Sequence, residues 1–390
     1  MRIAFIVLGN SRRSNYLNGH TLRHGGGGGS GTDTSSIVVA EQLAKAGHEV
    51  VFAFDKLEPQ LEQAYEKFVP GTIVNGVKYT FRETFEGIDD LNFDILISSL
   101  WFSDYEKMPI KVSKSLIYWS HMQWVYGIDE IIRYSNLNNL SLGFVNISLW
   151  QKEMVQGCID HMRREVPNFK EVLIPNPITE DIVREVEELN IVRKPHKFIF
   201  HASWARGGNV AHEVVKRLPY EDKELHAFDY LMTIHHHTDD FFHIHQGVDK
   251  FSLFKHLAES EYFLYPLYTP YQDVHKDTFS CVVAEAIAMG AIVLTYPLGA
   301  LPEYFADYCV WVDPPQGLTD EDMHRMQKES LSKDIEGHFK NNEKAFLDKI
   351  NYLENHPEVK EQHRKNKDQI VKNFNSEKVG KMWIELIGSL

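Results

Sequence analysis

Short apolar runs that do not alternate with polar residues recur along this 390-residue chain, and they restrict its fold more than any other feature. RIAFIVLG (2–9), EVVFAFD (49–55), FDILISSL (93–100), SLIYWS (115–120) and GFVNISL (143–149) occupy the first half. KFIFHAS (197–203), ELHAFDY (224–230), EYFLYPL (261–267) and AIVLTYP (291–297) occupy the second. A strand with one wet face alternates, whereas a continuous apolar run fits a parallel sheet covered on both faces. Amphipathic stretches separate the runs. Over 34–46, Val39, Leu43 and Ala46 form one apolar stripe, which Asp33 or Thr34 can cap and Gly47 can end. VAHEVVKRL (210–218) and FSLFKHLAESE (251–261) read as helices too. Strand–helix alternation that runs through twice predicts an α/β chain of two Rossmann-like doubly wound domains, with parallel sheets facing across a cleft. The length agrees, since it exceeds that of the usual single domain. The expected divisions are a first domain over 1–180, a second over 195–375 and a terminal helix over 376–390 that packs back on the first domain. TEDIVREVEELNIVRKPHK (179–197) reads as the connection, and 320–375 as charged and helical.

A formal charge of −14 argues against a nucleic-acid partner, which needs a basic footprint. It leaves room for a phosphorylated small molecule, because a few local donors can outweigh the global field. Only Cys158, Cys281 and Cys309 are present, widely spaced and without a CxxC pair, so neither a disulfide framework nor a structural zinc site is expected. The N-terminal apolar run is short and lacks a signal-peptide layout. No run reaches the roughly 18 apolar residues that a membrane span requires. A soluble, cytoplasmic protein without a transmembrane segment is the expectation. Oligomeric state is not legible, and a homo-oligomer stays open.

Chemistry concentrates in Asp277-Thr-Phe-Ser-Cys-Val-Val-Ala-Glu285, between the runs EYFLYPL and AIVLTYP. FSCVVAEAIAM (279–289) reads as a helix stopped by Gly290. A strand–loop–helix–strand unit binds ligands at the strand's carboxyl end, where helix N–H groups and the dipole favour an anion such as phosphate. Two acids eight residues apart are common on exposed helices. Glu285, however, lies in the apolar sequence VVAEAIAM, where an unpaired buried carboxylate is expensive. It therefore needs a donor partner, and ribose hydroxyls would serve. An anion site flanked by carboxylates suits a ligand with phosphates and hydroxyls together, as in a sugar nucleotide.

At these residues the chain resembles a known family. DTFSCVVAEAIAMGAIVLTYPLGALPEYF (277–305) is similar to the donor-site signature of retaining glycosyltransferases of family 4, which have the GT-B fold. The signature is an acid, seven residues, a Glu, a helix ending in Ala-Met and Gly, and a later Pro-Glu. Here those are Asp277, Glu285, Ala288-Met289-Gly290 and Pro302-Glu303. Weaker likenesses extend over most of the chain, in VLIPNPI (172–178), NISLWQKEM (146–154), WSHMQW (119–124) and HASWARGG (201–208). The whole resembles a virus-encoded member.

The resemblance implies that Glu285 binds ribose and that Asp277 sits by the donor sugar's hydroxyls and anomeric carbon. Amides of Phe279, Ser280 and Cys281 would hold the sugar or distal phosphate. Arg206, in the turn that begins at Ser203, would neutralise the diphosphate leaving group. His121 would contact the transferred sugar, and the base would lie near Gly247, Val248, Asp249 and Lys250. Gly29, Ser30 and Gly31 would form the first-domain loop facing the diphosphate, with Asp33 near the acceptor. Three departures stand out. The family's first acid is Glu, one methylene longer than Asp277. Its Gly-Phe-Gly is Thr278-Phe279-Ser280 here, and Arg206 lacks the second basic residue usual in this turn.

The implied reaction is retaining transfer of a hexose from a nucleoside diphosphate sugar to a glycan, glycoprotein or lipid hydroxyl. GDP-mannose is the first expectation for the donor and a UDP-sugar the second, with no cofactor and no metal. Alternatives remain: a sugar-nucleotide epimerase or hydrolase, an NAD-dependent oxidoreductase, or a catalytically silent binding protein. HGGGGGSGTD (24–33) satisfies GxGxxG at Gly26, Gly28 and Gly31, but some fifteen residues separate it from Gly9, too many for a dinucleotide turn. IHHHTDDFFHIH (234–245) reads as the polar edge of a strand rather than a metal site. Asp320-Glu321-Asp322, of DxD form, reads as a helix N-terminus.

Overall fold

Each apolar run becomes a strand, and successive residues along these strands are buried, as a sheet covered on two faces requires. The computed structural model describes residues 1–7, 17–25, 29–55, 68–100, 102–228, 239–267, 276–313, 335–365 and 367–390. Two compact units result, one of Met1–Thr179 with Asn373–Leu390, the other of Glu180–Lys372.

The first unit carries β1 (Arg2–Val7), β2 (Glu49–Phe54), β3 (Ile73–Val74), β4 (Val77–Phe81), β5 (Asn92–Ser99), β6 (Lys111–Trp119), β7 (Ser141–Asn146) and β8 (Phe169–Leu173). Their order is β3-β4-β2-β1-β5-β6-β7-β8, parallel except for β3. That exception is a hairpin whose turn, Asn75-Gly76, has φ of 50° and 80°. Asn-Gly tolerates two left-handed residues in succession, so the edge ends in a tight two-residue reversal.

The second unit carries β9 (Lys194–His201), β10 (Glu224–Phe228), β11 (Phe242–His245), β12 (Ser260–Tyr265), β13 (Ile292–Thr295) and β14 (Cys309–Trp311). They lie in the order β11-β10-β9-β12-β13-β14, parallel throughout. Both sheets are doubly wound. Each chain path starts in the middle, runs to one edge, and returns to build the other half.

Two local expectations need correction. The first long helix spans Gly31–Lys45, not 34–46, because Ser30 is its cap. The Ser30 hydroxyl accepts from the Asp33 amide at 3.2 Å, while the Asp33 carboxylate accepts from the Ser30 amide at 2.9 Å. This reciprocal pair outcompetes a cap at Asp33 or Thr34. The segment 179–197 is more than a connection. Glu180–Glu187 is a helix that buries Ile182, Val183 and Val186 and packs on the helix Lys250–Glu259.

The C-terminal helix Ser376–Gly388 lies against Gly31–Lys45. Close approach is possible because Gly380 has no side chain; a Cβ there would stand 2.7 Å from Gln42. Trp383 is fully buried with its ring edge-on to Trp119 at 4.7 Å. Among the described residues no helix is long and apolar enough to cross a membrane. Trp383→Ala should destabilise the first unit by about 3–5 kcal/mol, read as an earlier urea transition of that unit. An unshifted transition would show that the terminal helix is dispensable.

Candidate functional site

In the second sheet the winding reverses between the neighbouring strands β9 and β12, and such a reversal leaves a crevice outside their carboxyl ends, where the connections leave in opposite directions. β9 runs into the turn Ser203–Gly208. There the Arg206 amide donates to the Ser203 carbonyl at 2.8 Å, and Gly207 takes a φ of 98°. Gly208 lies under the Trp204 indole; a Cβ would come within 2.2 Å of the ring. The turn thereby directs Arg206 toward the end of β12.

Asp277 meets it there. Arg206 Nη1 donates to Asp277 Oδ1 at 3.0 Å, and the Tyr265 hydroxyl donates to Asp277 Oδ2 at 2.6 Å. Asp277 is 6% exposed. Burial and the neighbouring carboxylate push the Tyr265 phenol well above its usual pKa, so it stays protonated and donates. The backbone is fixed as well. The Ala300 amide donates to the Asp277 carbonyl at 2.8 Å, and Gly299, at φ 61°, presses so close that a Cβ would stand 2.3 Å from that oxygen. Phe279 is buried beside Tyr304 and Phe305. Ser280, where the resembling family has Gly, adopts φ 72° and precedes the helix Cys281–Ala288. Strain of this kind concentrates where the surroundings over-determine the backbone.

Glu285 is 0% exposed, and its partner is now visible. Lys250 Nζ donates to both carboxylate oxygens, at 2.7 and 2.8 Å. The sequence demanded a donor for this carboxylate, and the chain itself supplies one. Burial raises the Glu285 pKa, and the Lys250 charge opposes that rise. Lys250 opens the helix Lys250–Glu259, whose cap Asp249 accepts from the Ser252 amide at 2.8 Å. Gly247 (φ 64°) and Val248 form the approach to that cap. Asp249 and Lys250, expected near a base, thus have a helix cap and an ion pair as their contacts.

The remaining candidates lie in the first unit. Gly29 precedes the cap Ser30, and the Asp33 carboxylate takes hydrogen bonds from the Ser30 amide and from its hydroxyl at 2.7 Å. Burial raises the Asp33 pKa, and the Ser30 bonds oppose the rise. His121 follows β6, is 7% exposed, and has its ring against Trp119 at 4.5 Å. Burial lowers its pKa to about 3, so the imidazole is neutral at physiological pH.

Two residues of the site escaped the sequence reading. Tyr265 looked like one more apolar member of EYFLYPL, although a Tyr at a strand's carboxyl end carries a polar tip. Gly299 in YPLGALPE lies outside any helix stop that would have explained it. Gly9, Gly26, Gly28, His235–His237 and Asp320–Asp322 lie outside the described residues.

Lys250→Met should destabilise the protein by about 3–5 kcal/mol, because an uncompensated charge is left in the interior. In that variant Glu285 keeps a raised folded-state pKa, so the folded form holds a proton that the unfolded chain releases. Stability should therefore fall as pH rises above the ordinary carboxylate range, the variant being least impaired in acid. Urea titration across pH checks this, and adding Glu285→Leu should restore much of the loss. Gly299→Ala should disrupt the Asp277 loop and cost about 1–3 kcal/mol of stability; an unchanged urea midpoint would contradict that.

No family profile matches this chain, and no curated protein matches it. Solved structures do. Sucrose-phosphate synthase from Thermosynechococcus elongatus aligns over 100% of both chains with a TM-score of 0.63 at 11% identity. Anabaena Alr3699/HepE, in complex with UDP-glucose, aligns over 100% of both at 0.57 and 11%. WaaG, a glycosyltransferase involved in lipopolysaccharide biosynthesis, aligns over 97% of this chain and 99% of its own at 0.55 and 12%. Two parallel-sheet units in this arrangement of strands are the GT-B fold of glycosyltransferases.

Proposed function

We propose that this chain is a glycosyltransferase that moves a hexose from a nucleoside diphosphate sugar to a hydroxyl of a glycan, glycoprotein or lipid. The observation that carries this reading is the group Arg206–Asp277–Tyr265 at the carboxyl ends of β9 and β12, beside the N-terminus of the helix that contains Glu285. A cation and oriented helix amides suit a departing diphosphate, and carboxylates suit sugar hydroxyls. The anomeric carbon–phosphate oxygen bond breaks, the acceptor oxygen bonds to that carbon, and its proton passes to the leaving diphosphate. In the Arg206–Asp277–Tyr265 group Asp277 is the carboxylate among the described residues, which favours retention by front-face departure. With a fixed cation and helix dipole present, the reaction needs no metal. His121, neutral, would offer hydrogen bonding rather than acid catalysis.

One solved structure of this fold holds UDP-glucose, which moves a uridine diphosphate sugar ahead of GDP-mannose as the donor. Ribose recognition by Glu285 requires movement, since the carboxylate has no exposed surface and faces Lys250. The Lys250 side chain would swing toward the diphosphate as ribose hydroxyls take its place. The Arg206–Asp277 pair also favours a second reading, a protein that binds the donor without turnover, because the guanidinium is already neutralised.

A panel of nucleotide sugars, titrated calorimetrically and followed for nucleotide release with acceptor extension, separates these outcomes. Arg206→Ala should slow turnover by about 3 kcal/mol of barrier, roughly a hundredfold. Glu285→Gln should weaken donor binding by about 1–3 kcal/mol. Donor binding with no transfer to any acceptor would establish the second reading, and absence of binding across the panel would remove both.

A further inference from the structure

Three histidines from different elements converge on one face of the second sheet. β10 and β11 run parallel with His226 opposite His243 and Phe228 opposite His245, so His226 and His245 project from the same face. His256 descends from the helix Lys250–Glu259 onto that face. The three rings have centroids 4.7–5.1 Å apart, and one nitrogen from each lies within 4.8 Å of the other two. Nitrogens around a zinc ion bonded at about 2.0–2.1 Å stand roughly 3.3 Å apart, so small side-chain rotations close the set.

We propose that His226, His245 and His256 form a binding site for a divalent transition-metal ion of the zinc class, with solvent completing the coordination. Neutral imidazole is the form that ligates. Burial first, and then the charge of Lys197, lower the pKa of His226 and His256 to about 3 and of His245 to about 4. The ring orientation is also prepared. Glu224 lies 3.0 Å from His226 Nε2 and holds the proton there, which turns the Nδ1 lone pair toward His245 Nε2 at 2.8 Å. A carboxylate behind a ligating histidine fixes its tautomer and strengthens it as a ligand. Phe228 stacks on His245 at 4.5 Å and meets His256 edge-on at 5.2 Å, forming an apolar wall.

Other charges face the cluster. Lys197 Nζ contacts His256 Nδ1 at 3.1 Å and also pairs with Glu259, while Lys194 bridges Glu224 and Glu259. His243 packs on His226 at 4.7 Å. The two acids balance the two lysines, and an entering ion displaces Lys197 from His256 while leaving it on Glu259. His226 is buried and the other two rings are half-buried, which leaves a path for the ion and its waters. His245 and His256 bracket Gln246–Lys250, so the ion would fasten both ends of the loop that delivers Lys250 to Glu285.

Protein freed of metal with a chelator, then titrated with zinc alone by calorimetry, should take up one equivalent at this site and melt at a higher temperature. His245→Asn and His256→Gln should each weaken uptake by about a hundredfold or more, and Glu224→Gln by about ten- to a hundredfold. Replacing His235, His236 and His237 together by Ala should leave uptake at this site unchanged. In the wild-type protein zinc should shield His245 and His256 from acylation by diethylpyrocarbonate, a readout that needs no variant to fold. Wild-type affinity in His256→Gln, loss of all uptake with the triple Ala variant, or equal acylation with and without zinc would overturn the proposal.

Discussion

A carboxylate removed from water inside an apolar helix must be answered by a cation, and much of the second unit follows from that demand. Glu285 sits on Cys281–Ala288, seven of whose residues besides it are apolar by sequence. Lys250 reaches it from the start of another helix, which ties two elements remote in sequence through one pair of charges. The Gly247 turn, the Asp249 cap and the burial of Leu253, Phe254 and Leu257 then hold that helix in place. In low dielectric such a pair is strong only when both oxygens are satisfied, and here both are.

A second constraint is topological. A doubly wound sheet opens a crevice wherever its winding reverses, and in this unit the reversal separates β9 from β12. Arg206 and Asp277 come from the two banks of that crevice, with Tyr265 at the end of one of them. The group is held from behind by Gly299, whose lack of a side chain lets the 296–300 segment press against the Asp277 carbonyl. Polar atoms are thereby fixed on rigid backbone before any ligand arrives, which is the condition for electrostatic catalysis and equally for tight anion binding.

The sheets were legible because their core strands are continuous apolar runs, and the Glu285 helix because Gly290 marks its end. β4 (VKYTF) was missed because it alternates, and β8 was read only at its end, in VLIPNPI, because its start carries two charged residues, as strands toward a sheet edge do. Helix starts were legible only to within a turn, since Ser30, Asp33 and Thr34 are all competent caps and only the reciprocal Ser30–Asp33 bonds decide among them. The need for a donor at Glu285 could be deduced from burial cost, but not its identity, because Lys250 is 35 residues away. The same holds for Arg206 and Asp277. Their pairing arises from two turns that meet in space, and no periodicity encodes it. His226 and His256 likewise gave no sign beside the more conspicuous tract that ends in His245.

The first unit is assembled from segments at both ends of the chain, with the whole of Glu180–Lys372 inserted between them. Synthesis on the ribosome proceeds from the N-terminus, so the inserted unit is complete before the helix Ser376–Gly388 exists. The face of the first sheet around Trp119 therefore waits, uncovered, through the translation of the entire second unit until Trp383 reaches it. An apolar surface held open that long is where a nascent chain aggregates or recruits a chaperone. Its exposure time is set by the length of the insertion rather than by the stability of the finished fold.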